Sequence, residues 1–349
     1  MDANPALGVL LHAIGGLAAA SFYIPYTRVK NWQWESYWIV GGIFSWLIAP
    51  IVGAAIICPD LAGILSAAPA SSLAWTYLFG VLWGVGGLTF GMSVRYLGQS
   101  LGFSMSLGFC AFFGTLIPPL FMGTMLELAQ TVSGMVVLAG LGVCLAGIFA
   151  CGMAGMRKES RLSDEDKKAS VKEFSFIKGL WVAFFAGIMS ACMAFAFVSG
   201  DPISKLAVAK GTAPIFANMP VLVVVMLGGL TTNAVWCVFL NIRNKSARDY
   251  VNAAGAPLAL NYLLCTAAGV TWYLQFFFYG MGETRMGEAF SFSSWTLHMA
   301  FIIAFSNIWG VMLQEWKATD RRTHALLFAG ITVLILSTII VGYGNYLKG

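Results

Sequence analysis

Charge is scarce in this chain. Only 10% of its 349 residues are Asp, Glu, Lys or Arg, where soluble domains hold roughly 25%. Hydrophobic residues make up 59%, and the mean hydropathy is +0.79. That balance excludes a soluble globular fold and leaves an integral membrane protein. Acid is rarest where it would cost most: of the 15 Asp and Glu residues, none falls in the middle of an apolar run. Clusters such as DDxxD or HxxxxD, which acid-base or metal-assisted catalysis wants, are missing, so an integral membrane enzyme acting on lipid-linked sugars is disfavoured. The seven cysteines (Cys58, Cys110, Cys144, Cys151, Cys192, Cys237, Cys265) form no CxxC pair and lie in or at the ends of apolar runs. They read as small packing residues, neither metal ligands nor a disulfide framework, and no metal or other cofactor is expected. No Lys or Arg precedes the first apolar run, whereas Arg28 and Lys30 follow it. This reverses the secretory pattern, so Ala18-Ala19-Ala20 belongs to a first span and marks no cleavage site.

What is present is a succession of apolar runs, each long enough to cross a roughly 30 Å hydrocarbon core as a helix. Barrel strands would show ~10-residue alternating segments. The expected fold is all-α, with ten transmembrane helices over 6–26, 37–57, 73–94, 101–122, 131–153, 178–199, 213–239, 258–280, 290–312 and 325–347. Only the connection 154–177 is both long and charged, so function must sit within the bilayer. Sixteen of the 20 Lys and Arg residues fall in the odd-numbered connections; Lys205, Lys210, Arg285 and Lys348 lie on the other side. Cationic loops stay cytoplasmic, which puts both termini on the outer face. The same bias accounts for the net charge of +5 and gives no reason to expect a nucleic-acid partner.

The charged stretch divides the chain into a first five-helix repeat (1–154), a cytoplasmic linker (155–177) and a second five-helix repeat (178–349). An odd number of spans per half forces the second to insert upside down. The ends of the third spans echo each other, "FGMSVRYLG" (Phe90 to Gly98) against "YGMGETRMG" (Tyr279 to Gly287). Two inverted repeats are the architecture of secondary transporters, with the substrate held near midplane at their interface. Small-residue registers such as Gly80/Gly84, Gly142/Ala146/Ala150 and Gly147/Cys151/Gly155 suit close helix packing.

Polar groups inside a span are costly and therefore functional candidates. His12 and His298 are the only embedded ionisable residues; Glu35, Asp201, Glu283 and Glu288 sit at span edges. Residues three and four apart share a helix face. Trp272, Gln275 and Tyr279 then form one stripe with Ala268, and Ser291, Ser294, Trp295 and His298 form another. Gly8, His12, Gly15, Ala19, Tyr23 and Tyr26 make a third. By depth, His12, Gln275 and His298 are expected to line one cavity. An amide both donates and accepts, as sugar hydroxyls require, flat rings cover C–H faces, and an imidazole also carries a proton near physiological pH. The blander alternatives are that Gln275 ties two helices together, that Glu35 pairs with Arg28 and Lys30, that "SGDP" (Ser199 to Pro202) ends a helix, and that 154–177 is a solvated linker.

Several segments resemble the bacterial L-rhamnose/proton symporter family, in order from the first span to the last. They are "LLHAIGG" (Leu10 to Gly16), "VKNWQWESYWIVGGIFSW" (Val29 to Trp46), "VRYLGQSLG" (Val94 to Gly102), "WYLQFFFYG" (Trp272 to Gly280), "SWTLHM" (Ser294 to Met299) and "QEWKATDRR" (Gln314 to Arg322). The resemblance implies a drug/metabolite transporter superfamily member that takes up a 6-deoxyhexose with inward proton flow across the bacterial inner membrane. On that reading Gln275, His298, His12 and Ser294 bind sugar hydroxyls, and Trp272, Tyr279 and Trp295 offer stacking surfaces. His298 is the first candidate proton carrier by depth, followed by His12, Glu288 and Glu35. The partners are a small sugar, protons and the lipid bilayer. The main competing reading is an uncoupled exchanger or facilitator of another metabolite on the same scaffold.

Overall fold

The structure is a computed structural model describing residues 4–121, 125–161, 163, 171, 173–252, 255–286 and 294–347. Among the described residues every regular element is helical. The long helices are α1 (Pro5–Ser21), α2 (Trp34–Ile57), α3 (Ala70–Leu97), α4 (Gln99–Phe121), α5 (Val132–Arg161), α6 (Phe176–Ser190), α7 (Cys192–Ala209), α8 (Met219–Asn244), α9 (Leu258–Met286), α10 (Ser294–Met312) and α11 (Arg321–Tyr346). Among the described residues seven stretches are long and apolar enough to span a bilayer: α1, α2, α3, α5, the consecutive α6 and α7, α8 and α11. The chain is thus a helical, multi-pass integral membrane protein.

Two expected boundaries move. "SGDP" does not end a helix: Ser199 to Pro202 lie inside α7, which continues to Ala209. Asp201 there pairs with Lys205 one turn on, at 2.6 Å. Pro202 costs one backbone hydrogen bond, a loss that transmembrane helices tolerate. Nor is the linker all solvated. Helix α5 runs on to Arg161, and Lys158, counted above among loop cations, is completely buried.

The chain forms two compact units, residues 1–20, 86–191 and 282–349 in one, 21–85 and 192–281 in the other. In the first unit α5 packs along α11. A Cβ on Gly147 would meet Leu334 at 2.8 Å, and one on Gly330 would meet the Cys151 sulfur at 2.6 Å. The expected Gly147/Cys151/Gly155 register is therefore a packing face. Gly142 has nothing within 4 Å and lies exposed with Ala146 on the opposite side. Helices α1 and α10 approach equally closely, since a Cβ on Gly16 would overlap Phe301.

In the second unit α3 and α8 touch backbone to backbone. A Cβ on Gly80 would stand 2.4 Å from the Val225 carbonyl oxygen, and one on Gly84 2.8 Å from Gly229 Cα. Lipid supplies no hydrophobic drive between helices, so this close packing supplies much of their attraction. Helix α2 contains a π-turn over Phe44–Ile48. The extra residue of such a turn re-aims the side chains beyond it and recurs at functional sites.

Candidate functional site

In the second unit the Trp272 ring is the hub of an aromatic cluster. Its centroid is 5.7 Å from that of Trp46, 5.5 Å from Trp83, 5.2 Å from Phe276 and 6.3 Å from Phe22. Trp46 comes from the π-turn of α2 and continues the chain of rings to Trp38, which stacks on Trp34 at 5.1 Å. The Trp38 indole N–H donates to Asn233 Oδ1 at 2.9 Å. Asn233 itself donates to the carbonyls of Gly84 and Gly229 at 3.1 and 2.8 Å. One buried amide in the middle of α8 thereby joins α2, α3 and α8. Gln275, one turn beyond Trp272 on α9, is buried, and among the described residues its amide has no hydrogen-bond partner. Tyr279 is also buried, with its ring 6.5 Å from Phe197.

The first unit brings the two histidines together. His12 on α1 and His298 on α10 are buried with ring centroids 5.9 Å apart and planes inclined at 63°. Their closeness depends on small residues. Gly16, one turn beyond His12, admits the α10 backbone, and Gly282 faces the imidazole so closely that a Cβ there would lie 2.9 Å from His12 Cε1. Glu288 lies outside the described residues; Ser294 and Trp295 lie in the first turn of α10, and their side chains are likewise outside the description. Glu35 is buried in the second unit. It accepts from Asn244 Nδ2 at 2.9 Å and Ser246 Oγ at 2.7 Å, and among the described residues it makes no ion pair with Arg28 or Lys30.

A second polar cluster in the first unit has no counterpart among the sequence candidates. Gly98, at φ +85°, ends α3 and leads directly into α4. It has no side chain with which to cap α4, so the cap comes from far along the chain. Glu315 accepts from the Gln99 N–H at 2.6 Å and the Ser100 N–H at 3.0 Å, a carboxylate placed where the helix N-terminus favours one. Burial pushes the Glu315 carboxyl up, and the two backbone donors and the Lys158 ammonium oppose that rise. Lys158 donates to the Glu315 carbonyl at 2.8 Å and lies over the rings of Phe174 and Trp316. Ser100 Oγ donates to Asn307 Oδ1, and Asn307 Nδ2 donates to Ser104 Oγ at 3.0 Å. Nearby, Asp320 caps α11 through the Thr323 N–H and pairs with Arg157 at 2.6 Å. Among the described residues no group of His, Cys, Asp and Glu is arranged to hold a metal ion.

These observations define a polytopic helical membrane protein with buried imidazoles and an aromatic-amide surface but no described metal centre. The profile described as "L-rhamnose-proton symport protein (RhaT)" matches residues 1–346. The chain is 37% identical over 340 residues, 97% of each chain, to the L-rhamnose-proton symporters of Cronobacter sakazakii, Citrobacter koseri and Salmonella paratyphi B. It belongs to the L-rhamnose-proton symport family. These relatives are transporters by name and not enzymes.

Proposed function

We propose that this chain imports L-rhamnose across the bacterial inner membrane together with protons. The observation that carries the reading is the match over nearly the whole chain to relatives named for that activity. We further assign the chain to the drug/metabolite transporter superfamily, with ten spans in two inverted repeats (1–154 and 178–349) and both termini periplasmic. The composition of the two units supports this. α4, α5, α10 and α11 fall in one, and α2 and α8 in the other. The unit boundaries fall within α1, within α3, between α6 and α7 and within α9. When α6 and α7 are taken as one span, these are spans two and seven, four and nine, five and ten, with the divided spans one and six, three and eight. Each pair holds equivalent places in the two halves, as inversion-related repeats require.

The aromatic-amide surface is the sugar-recognition element of this reading. Trp272 and Tyr279 offer faces to C–H groups, and Gln275 offers a donor and an acceptor to hydroxyls. Ser294 and Trp295 remain candidates from the sequence. The histidine pair is the proton-handling element, and each imidazole can also bind a hydroxyl. Two positive charges 5.9 Å apart repel by about 3 kcal/mol at an effective dielectric constant of about 20, so the pair suits one proton better than two. Glu35 and Glu288 are the reserve carriers.

The test is uptake of radiolabelled L-rhamnose into proteoliposomes with and without an inward proton gradient, with competition by L-fucose, L-mannose and D-glucose. Gradient-driven accumulation blocked by rhamnose-like sugars supports the proposal. Uptake unaffected by a protonophore replaces it with a facilitator, and no uptake by folded, reconstituted protein removes the substrate.

A further inference from the structure

The cluster around Glu315 binds together more of the protein than a helix cap needs to. A cap is ordinarily supplied by a Ser, Thr, Asp or Asn adjoining its own helix. Here that place is held by Gly98, and the acceptor is a buried carboxylate more than 200 residues later in the chain. Burying a carboxylate is costly unless its oxygens are matched, and these are matched by one helix terminus. The terminus is then tied onward. Gln99 Nε2 donates to the Ala20 carbonyl at the end of α1, at 2.6 Å. Ser100 and Ser104 engage Asn307 on α10. The Glu315 carbonyl is held by Lys158 of α5.

The two helices gathered onto α4 are the two that carry the histidine pair. Ala20 lies eight residues along α1 from His12, and Asn307 nine residues along α10 from His298. At 1.5 Å rise per residue each distance is about 12 to 14 Å. The helical rods that bear the imidazoles are thus tied at one end to the α4 terminus that this carboxylate caps.

We propose that Glu315, seated by Lys158, is a positioning residue for coupled transport: its carboxylate fixes α4 against α1 and α10, so that a change at the histidine pair moves these helices together instead of letting one slip. Glu315 need touch neither sugar nor proton to do this. The proposal rests on the symport reading given above, and the two fail separately, because wild-type protein tests that reading before any variant is considered.

The experiment compares wild type, Glu315→Gln, Glu315→Asp and Lys158→Met in proteoliposomes, with equal amounts of folded protein verified by monodisperse elution. Two quantities are read: accumulation of L-rhamnose driven by a proton gradient, and gradient-free exchange of labelled for unlabelled sugar. Glu315→Gln keeps the shape and loses the charge that holds two N–H groups. It is expected to lower the accumulation ratio at least fivefold while exchange stays within twofold, with Glu315→Asp partly restoring accumulation. Lys158→Met, which retains the apolar stem, is expected to change the same two quantities in the same direction. Parallel loss of accumulation and exchange, or accumulation unchanged in Glu315→Gln, reduces Glu315 to a stabilising cap and overturns the proposal.

Discussion

The imidazoles of His12 and His298 stand 5.9 Å apart on the first and tenth long helices. Of the described carboxylates near spans, Glu35 and Glu315 are held by hydrogen bonds and Asp201 pairs with Lys205, while Glu283 lies near the end of α9. On the proposed reading the histidine pair is the proton carrier. Replacing His298 by Ala should abolish proton-driven accumulation while the protein remains folded. Uptake within about a factor of two of wild type would remove His298 from the mechanism.

Gln275→Ala should raise the apparent KM for the sugar about tenfold, the effect of losing roughly 1.4 kcal/mol of hydrogen bonding, with little change in the amount of protein in the membrane. An unchanged KM would return Gln275 to helix packing.

Gly282 and Gly280 provide a controlled pair. A Cβ at 282 would meet the His12 ring at 2.9 to 3.1 Å, whereas one at 280 meets nothing within 4 Å. Gly282→Ala should therefore impair accumulation several-fold and Gly280→Ala should not, although both gain about 1 kcal/mol of helix propensity. Equal behaviour of the two variants would show that the His12 ring position does not matter.

Asn233→Leu removes three buried hydrogen bonds. Transmembrane hydrogen bonds average about 0.6 kcal/mol each, so a stability loss of about 2 kcal/mol is expected, together with a weaker apparent affinity as the Trp38 indole loses its acceptor. Thermal unfolding in detergent and KM are the two readouts. A variant with wild-type values of both would show that Asn233 anchors nothing.

Asp320 gives a pH prediction. The Arg157 guanidinium, followed by the Thr323 hydroxyl and N–H, holds its carboxyl well below the usual carboxylate range. A lowered folded value means that the cap's contribution is complete above the unfolded value near 3.9 and fades as pH falls toward the folded one. Asp320→Asn should lower the melting temperature by a constant few degrees between about pH 5 and 8, with the deficit shrinking below about pH 4. A deficit that grows on acidification would contradict the assignment.

Several segments that carry the family resemblance prove to be halves of contacts. "LLHAIGG" meets "SWTLHM" through the histidines, "VRYLGQSLG" meets "QEWKATDRR" through Glu315, and the Trp46 of "VKNWQWESYWIVGGIFSW" meets the Trp272 of "WYLQFFFYG". Each motif was visible as a string, but its partner was not, because the residues in contact are separated by two hundred or more positions. Lys158 shows the same limit from the other side. Its place in a cationic connection suggested solvation, whereas in the fold the rings of Phe174 and Trp316 and the Glu315 carbonyl receive its buried ammonium.

Composition determined that this protein lives in a bilayer, and the length of its apolar runs that it is built of helices, since a membrane core leaves a backbone few ways to satisfy its own N–H and C=O groups and barrel strands would be shorter and alternating. Helical period likewise determined which residues share a face, hence the stripe of Trp272, Gln275 and Tyr279. Tertiary structure decided which faces meet. Between helices in lipid there is no general hydrophobic drive to encode that choice in a pattern. It rests on particular close approaches at glycines and on single buried hydrogen bonds, such as those of Asn233 and Glu315, whose two ends lie far apart in the chain.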